Sequence, residues 1–451
     1  MSVKKPLALV SVPTVPRKFT GRFLLRLDPK PNTAAIIRTA KNNGLELIAA
    51  ANPRAEGALS HVLKEFDGII FERLRVAVIN GAAAVKLEAL QRSSGSPFLS
   101  SEPERFVRKL QAVSKGRGGG PYKDTSTATW GIHAVGALAV RATGKGVKLA
   151  ILDTGFDFTH PDFSGRTIHR KSFVGTRAAK DNEGHGTHIA GIAGGDRKGR
   201  DGARYGLASG ARLYIGKILD DNGEGTDGQT LAGIEWALEK GCQIISMSFG
   251  APMEAGEPCS AVFEQVAQIA LTHRCLLVAA SGNESERAKT RPLVAAVNHP
   301  ANCPSIMAVG ALTPALGVAD YSCAGIPGSP GSSSGSGGPA APAGSGGPAA
   351  PGDTRGRIAN TAPGDARGNA GGQIDIAAPG DNILSAKTGG GYRRESGTSM
   401  ATAFVAGAAA LLWEQYPNAS AWEIWARLTT QAWRLGLSAA DIGAGLCALR
   451  N

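Results

Sequence analysis

Apolar runs bounded by glycine and polar residues recur along the chain at the spacing of strands alternating with helices. Beyond Trp130 five runs are largely apolar: Val147–Leu152, Leu213–Ile218, Ile244–Met247, Leu276–Ala280 and Ile306–Val309. Strands that read this way are buried on both faces, as in a parallel sheet. Helical segments at Thr187–Ala193, Leu231–Lys240 and Ala261–Thr272 fall between them, which predicts an α/β fold with helices on both faces of the sheet. In such folds functional groups gather at the carboxyl ends of the strands. The pattern breaks over 325–372. Within that stretch Gly328–Gly352 is nearly all Gly, Ser, Pro and Ala, and Gly-Ser-Gly-Gly-Pro-Ala-Ala-Pro occurs twice. Such a composition cannot bury enough apolar surface to order itself, so a disordered surface insertion is expected. The sheet pattern resumes at Gln373–Ala377.

Residues 20–107 read as a separate small unit. Gly21–Leu27 is a strand, and Asn32-Thr33 caps a helix over Ala34–Asn43 that Gly44 ends. Strands follow at Leu45–Ala50 and Ile69–Ile79, then a helix at Ala82–Arg92 and a short strand at Pro97–Ser100. The order β-α-β-β-α-β is ferredoxin-like. Residues 108–125 are polar and glycine-rich and predict an exposed linker open to processing. The chain therefore divides into an extension (1–19), a small α+β unit (20–107), the linker (108–125) and a large α/β domain (126–451).

A length of 451 residues agrees with more than one core. The net charge of +12 is scattered, with no Lys/Arg run interleaved with aromatics, so it reads as solvated surface and not as a nucleic-acid site. No apolar run reaches the roughly 18–20 residues of a membrane span. The run Leu7–Val12 lies between Pro6 and Pro13 and is too short for a secretory core. The six cysteines show no CxxC spacing, and no Cys/His cluster suits zinc.

Four short stretches carry chemistry. Gly397-Thr398-Ser399 leads into the apolar helix Phe404–Leu412, which places the Ser399 hydroxyl at a helix N-terminus among free N–H groups. Asp153 ends a buried strand, His185 lies between Gly184 and Gly186 at a helix start, and Asn283 follows another buried strand. A serine hydroxyl is a poor nucleophile until a base such as imidazole takes its proton. A buried carboxylate fixes the imidazole tautomer, and an amide N–H₂ can donate to an oxyanion.

From about Trp130 to Leu446, less the insertion, these segments resemble the subtilisin-like serine proteases. The resemblance implies a subtilisin-like parallel sheet flanked by helices on both faces, preceded by a ferredoxin-like propeptide that acts as inhibitor of a self-processed zymogen. It implies a triad of Asp153, His185 and Ser399, with Asn283 and the Ser399 N–H as oxyanion hole. An extended peptide or protein substrate would add as a strand between Ser248-Phe249-Gly250 and Gly223-Glu224-Gly225. Ser248-Phe249-Gly250 would also wall the primary pocket over a polar floor at Asn298, and Ala280, Ser281 and Gly282 would be further substrate-binding positions. Glu183, with Glu224 and Glu284, would make the cleft acidic and favour basic substrate residues. In the propeptide, Phe98 to about Lys109 would lie through the cleft, and Glu102 and Glu104 would meet helix N-termini of the large domain. No cofactor is implied, and a monomer without membrane span is expected. Asp162 matches a calcium-binding carboxylate, although the following loop carries Arg197, Lys198, Arg200 and Arg204. Cys259 and Cys303 resemble a bridged pair, which would favour a secreted or periplasmic location, whereas the N-terminus carries no clear signal peptide. Ala403 stands where the family usually has proline. A latent, non-proteolytic peptide binder would lack a triad member, and none is lacking.

Overall fold

Residues 18–55, 57–93, 95–110, 119–175, 178–196, 199, 202–254, 256–325 and 372–450 are described by a computed structural model. The predicted insertion, apart from Gly325 and Gly372, and the extension up to residue 17 lie outside them. The N-terminal unit comprises β1 (Phe19–Leu27), α1 (Thr33–Asn42), β2 (Leu47–Ala49), α2 (Leu59–Glu65), β3 (Gly68–Phe71), β4 (Val76–Ile79), α3 (Ala84–Gln91) and β5 (Phe98–Lys109). Asn32 caps α1 by accepting the Ala35 N–H. The sheet order is β5-β1-β4-β3-β2. Its first four strands have the ferredoxin-like arrangement, and β2 is an added edge strand parallel to β3.

Two expectations fail here. The strand predicted over Ile69–Ile79 is an antiparallel hairpin of β3 and β4, turned at Arg75 with φ +54°. The short final strand is instead twelve residues long. It runs past the predicted boundary to Lys109, so the linker does not begin at residue 108, and the next residue, Leu110, is buried. Charges and Pro103 break its alternation, and its partners come from remote parts of the chain. β1 pairs with Phe98–Arg105, and the large domain pairs with the rest.

The large domain holds α4 (Trp130–Ala134), β6 (Lys148–Asp153), β7 (His169–Ser172), α5 (His185–Gly194), β8 (Arg212–Lys217), β9 (Glu224–Thr226), α6 (Asp227–Glu239), β10 (Ile244–Met247), β11 (Phe249–Gly250), α7 (Ala261–Thr272), β12 (Leu276–Ala280), β13 (Met307–Leu312) and β14 (Ile376–Pro379), then β15 (Ile383–Ala386), β16 (Tyr392–Glu395), α8 (Thr398–Gln415) and α9 (Ala421–Gln431). A seven-stranded sheet runs β14-β13-β12-β10-β6-β8-β7, parallel at every junction. Alternation within each strand divides the core. Leu149 and Ile151 of β6 pack with α5 and α8, while Ala150 and Leu152 pack with α6 and α7. Both faces are covered, which explains the continuous apolar strands. α8 is buried from Thr398 to Trp413, Ala403 included.

Carboxylates from β5 dock the two units. Glu104 accepts the Gly228 N–H at the start of α6 (2.9 Å) and pairs with Arg22. Glu102 accepts the Ala261 N–H at the start of α7 (3.0 Å) and the Ser260 hydroxyl. Both satisfy helix-start donors and oppose the positive end of the dipole.

Candidate active site

β6 ends in Asp153, and α5 begins at His185; both side chains are fully buried. His185 Nδ1 donates to Asp153 Oδ1 at 2.8 Å, with Oδ2 at 3.0 Å. One residue missed at the sequence level ties these segments together. Asp181 Oδ1 accepts from the Thr154 hydroxyl (2.9 Å) and the Gly184 N–H (2.6 Å), and Oδ2 accepts from the Thr187 N–H (2.8 Å) and hydroxyl (2.7 Å). Thr154 Oγ1 in turn accepts the Gly186 N–H at 2.9 Å. A carboxylate four positions before the histidine, beside small polar residues, is the signal that could have found it.

Burial disfavours the charged imidazole of His185. The charge and hydrogen bond of Asp153, with Glu395 and Glu183, outweigh that effect and hold its pKa above the ordinary value. Burial pushes the Glu395 carboxyl up, while His185 and the Arg393 guanidinium pull it back. Lys109 also faces Glu395. Glu395→Gln removes a negative charge that favours imidazolium, so the pKa must fall. The acid limb of kcat/KM, which reports the free enzyme, is expected to move to lower pH in this variant. A limb that stays in place or moves upward contradicts that electrostatic role. The second histidine, His188, faces the carbonyls of Ile383 and Arg393 at 3.1 and 3.2 Å. Burial, Arg393 and His185 push it down to about 3, so it remains neutral and aimed away from Ser399.

Ser399 is the second residue of α8 and fully buried. Its Oγ lies 2.5 Å from the Leu110 carbonyl oxygen and 2.9 Å from that of Ser248. Asn283 Oδ1 accepts from Thr398 N–H and Oγ1–H, both at 2.9 Å, which fixes the carboxamide. Its Nδ2 is buried and has no hydrogen-bond partner among the described residues, and the same holds for His185 Nε2. A Cβ on Gly397 would stand 2.6 Å from the Leu110 carbonyl oxygen and 3.0 Å from Asn283 Nδ2. Glycine therefore keeps that space open for the carbonyl.

The chain itself fills the cleft. Arg108 pairs with Glu224, Val107 with Gly225 and Phe106 with Thr226 on β9. Lys109 pairs with Phe249 and Arg108 with Gly250 on β11. The Leu110 N–H donates to the Ser248 carbonyl at 3.3 Å, and the Lys109 N–H to that of Gly223 at 2.9 Å. The chain's own segment 106–109 thus lies between these two edges. Ala280 ends β12, Ser281 and Gly282 lead on to Asn283, and the Gly282 N–H donates to Thr398 Oγ1 at 3.2 Å. Asn298 is buried with its carboxamide unpartnered among the described residues. Its Cβ and the Leu110 side chain both abut Gly250. Glu183 pairs with Lys109 and Glu224 with Arg108. Glu284 does not join them: its Oε2 accepts from the Asn283 N–H (2.8 Å) and the Cys323 thiol (3.2 Å).

The cationic loop already argues against calcium at Asp162, and the bridge implied for Cys259 and Cys303 is corrected. Asp162 Oδ2 accepts the hydroxyls of Tyr205 (2.7 Å) and Tyr392 (2.9 Å), and the described residues hold no cluster of three acidic, His or Cys side chains suited to a metal. A hard dication needs several clustered oxygens, so these residues do not fit calcium. Cys259 and Cys303 lie within hydrogen-bonding reach of each other, yet all six cysteines are free. The Cys303 thiol, its pKa raised by burial, donates to the Ser260 carbonyl at 3.7 Å.

Residues 144–445 match the model of the subtilase family. The chain belongs to that family. It is similar to subtilisin from Bacillus pumilus, 31% identical over 68% of this chain and 93% of that protein. It is likewise similar to subtilisin E of Bacillus subtilis strain 168, 31% identical over 84% of this chain and 81% of that one. Subtilisin Savinase of Lederbergia lenta is 33% identical over 68% and 92% respectively. This subtilase is accordingly a subtilisin-like serine endopeptidase. No helix among its described residues is long and apolar enough to cross a membrane.

Proposed function

We propose that the chain is made as a self-inhibited zymogen that cleaves its own Leu110–Gln111 bond, with Asp153, His185 and Ser399 as triad. The observation that carries this reading is the Leu110 carbonyl seated against Ser399 Oγ, at the end of a segment strand-paired on both sides. Strand addition of this kind presents a peptide bond in fixed register. The alignment with subtilisin E covers more of this chain than residues 144–445, so it extends into the N-terminal unit.

In the reaction the Ser399 hydroxyl turns from the carbonyl oxygens toward His185 Nε2, the buried acceptor that lacks a partner. Nε2 takes the proton as Oγ bonds to the carbonyl carbon. Asp153 holds the tautomer and steadies the imidazolium. The oxyanion forms beside Asn283 Nδ2 and the Ser399 N–H at the start of α8. His185 returns the proton to the leaving amine, and water hydrolyses the acyl-enzyme. Residues 18–110, anchored through Glu102, Glu104 and the paired strand, then stay on as product inhibitor.

Hydrolysis of an unfolded protein by purified enzyme, compared with Asn283→Leu, tests the oxyanion role. Loss of one such donor lowers kcat by about 10²–10³-fold, a magnitude drawn from subtilisin itself, with little change in KM. Asn283→Asp keeps the acceptor for Thr398 but removes the N–H₂ donor, so it should be impaired to a similar degree. Full activity in either variant contradicts the assignment.

A further inference from the structure

The occupied cleft holds one side chain in a compartment built for its shape. Gly223 has φ +77°, and a Cβ there would stand 2.7 Å from Lys109 Cγ, 2.8 Å from Cδ and 3.1 Å from Cε. Three consecutive methylenes of the lysine therefore lie along bare backbone. The register is pinned by the Lys109 N–H donating to the Gly223 carbonyl at 2.9 Å. Beyond the stem, the ammonium pairs with Glu183 Oε1. The other oxygen, Oε2, accepts the His185 N–H at 2.9 Å, so the start of α5 orients the carboxylate. Glu395, 6% exposed and paired with Arg393, is a second carboxylate facing the same ammonium.

We propose that this compartment is a lysine-selective subsite, and that the protease prefers protein segments with lysine one residue before the apolar residue at the cleaved bond. The proposal rests on the reading that cleavage follows the residue in the Leu110 position. Lysine fits better than arginine. Glu183 offers a single oxygen, which suits a point-charge ammonium, whereas a guanidinium fork binds best to two. The neighbouring Arg108–Glu224 pair differs in kind, because both side chains are nearly half exposed (46% and 49%). Exposed pairs contribute little, so the next position outward is expected to select weakly.

The test uses the processed enzyme and peptides that share alanine at the third position and leucine at the cleaved bond. The second position carries lysine, arginine, norleucine or alanine. A partly desolvated charge pair predicts a kcat/KM for lysine about tenfold above norleucine. Lysine should also exceed arginine. In Glu183→Gln the lysine-to-norleucine ratio should fall to about one to two. In Gly223→Ala both long side chains should lose their advantage over alanine, since the new methyl fills the stem's path. A wild-type ratio near one, or a ratio unchanged by Glu183→Gln, overturns the subsite. Norleucine and alanine peptides left uncut after leucine by wild type, or cut equally by Ser399→Ala, would instead overturn the proteolytic reading on which it rests.

Discussion

Ser399→Ala is expected to abolish hydrolysis of unfolded protein, with a fall in kcat on the order of 10⁶-fold, the scale subtilisin itself shows when its nucleophile is removed. The substitution deletes one oxygen from a fully buried site. It leaves the start of α8 and its N–H groups in place, so folding and peptide binding should survive. Donors to the oxyanion and strand pairing would still leave about 10³–10⁴-fold acceleration over water. Purified wild type and variant, compared at equal folded concentration, give the answer. Equal rates would show that another group is the nucleophile.

Asp153→Asn should be the next most damaging change, lowering kcat by about 10⁴-fold. Asp153 is fully buried, and its Oδ1 accepts from both the Thr154 N–H (2.7 Å) and His185 Nδ1 (2.8 Å). An asparagine sets an N–H₂ at one of the two oxygen positions, which lie 2.8 and 3.0 Å from Nδ1, and a donor there opposes the Nδ1 proton. Nδ1 must then accept, which moves the imidazole proton to Nε2. That tautomer cannot take the serine proton, and the imidazolium loses its nearest counter-charge. The shape of the site is kept, so the loss should fall on kcat with KM nearly unchanged. A fall of less than about tenfold would argue that Asp153 acts through packing alone.

Much of this was readable in the residues, for identifiable reasons. The β10 and β12 runs are buried on both faces, so composition alone marks them as strands. Asp153, His185 and Asn283 occupy strand ends and a helix start, whose local signals lie within a few residues of each side chain. β5 was legible only in its first residues, because Glu102, Glu104, Arg105 and Arg108 gain their partners from Ser260, Gly228, Asp227 and Glu224, remote in sequence. The turn between β3 and β4 escaped notice because Arg75 adopts a positive φ without glycine or proline nearby to announce it. Asp162 reads in sequence as a carboxylate beside a cationic loop unsuited to calcium, but its actual partners, the hydroxyls of Tyr205 and Tyr392, lie 43 and 230 positions away and could not be read from its neighbours. The bridge expected between Cys259 and Cys303 rested on resemblance to relatives, and a pairing of that kind is not written in either residue's neighbours.

The intact mass of the expressed full-length protein, read beside that of Ser399→Ala, bears most directly on self-processing. Wild type should yield an N-terminal fragment whose last residue is Leu110, with its complement beginning at Gln111, while Ser399→Ala remains whole. A wild-type cut at another bond, or a variant cut at the same one, would mean that the peptide held in the cleft is not the enzyme's own first substrate.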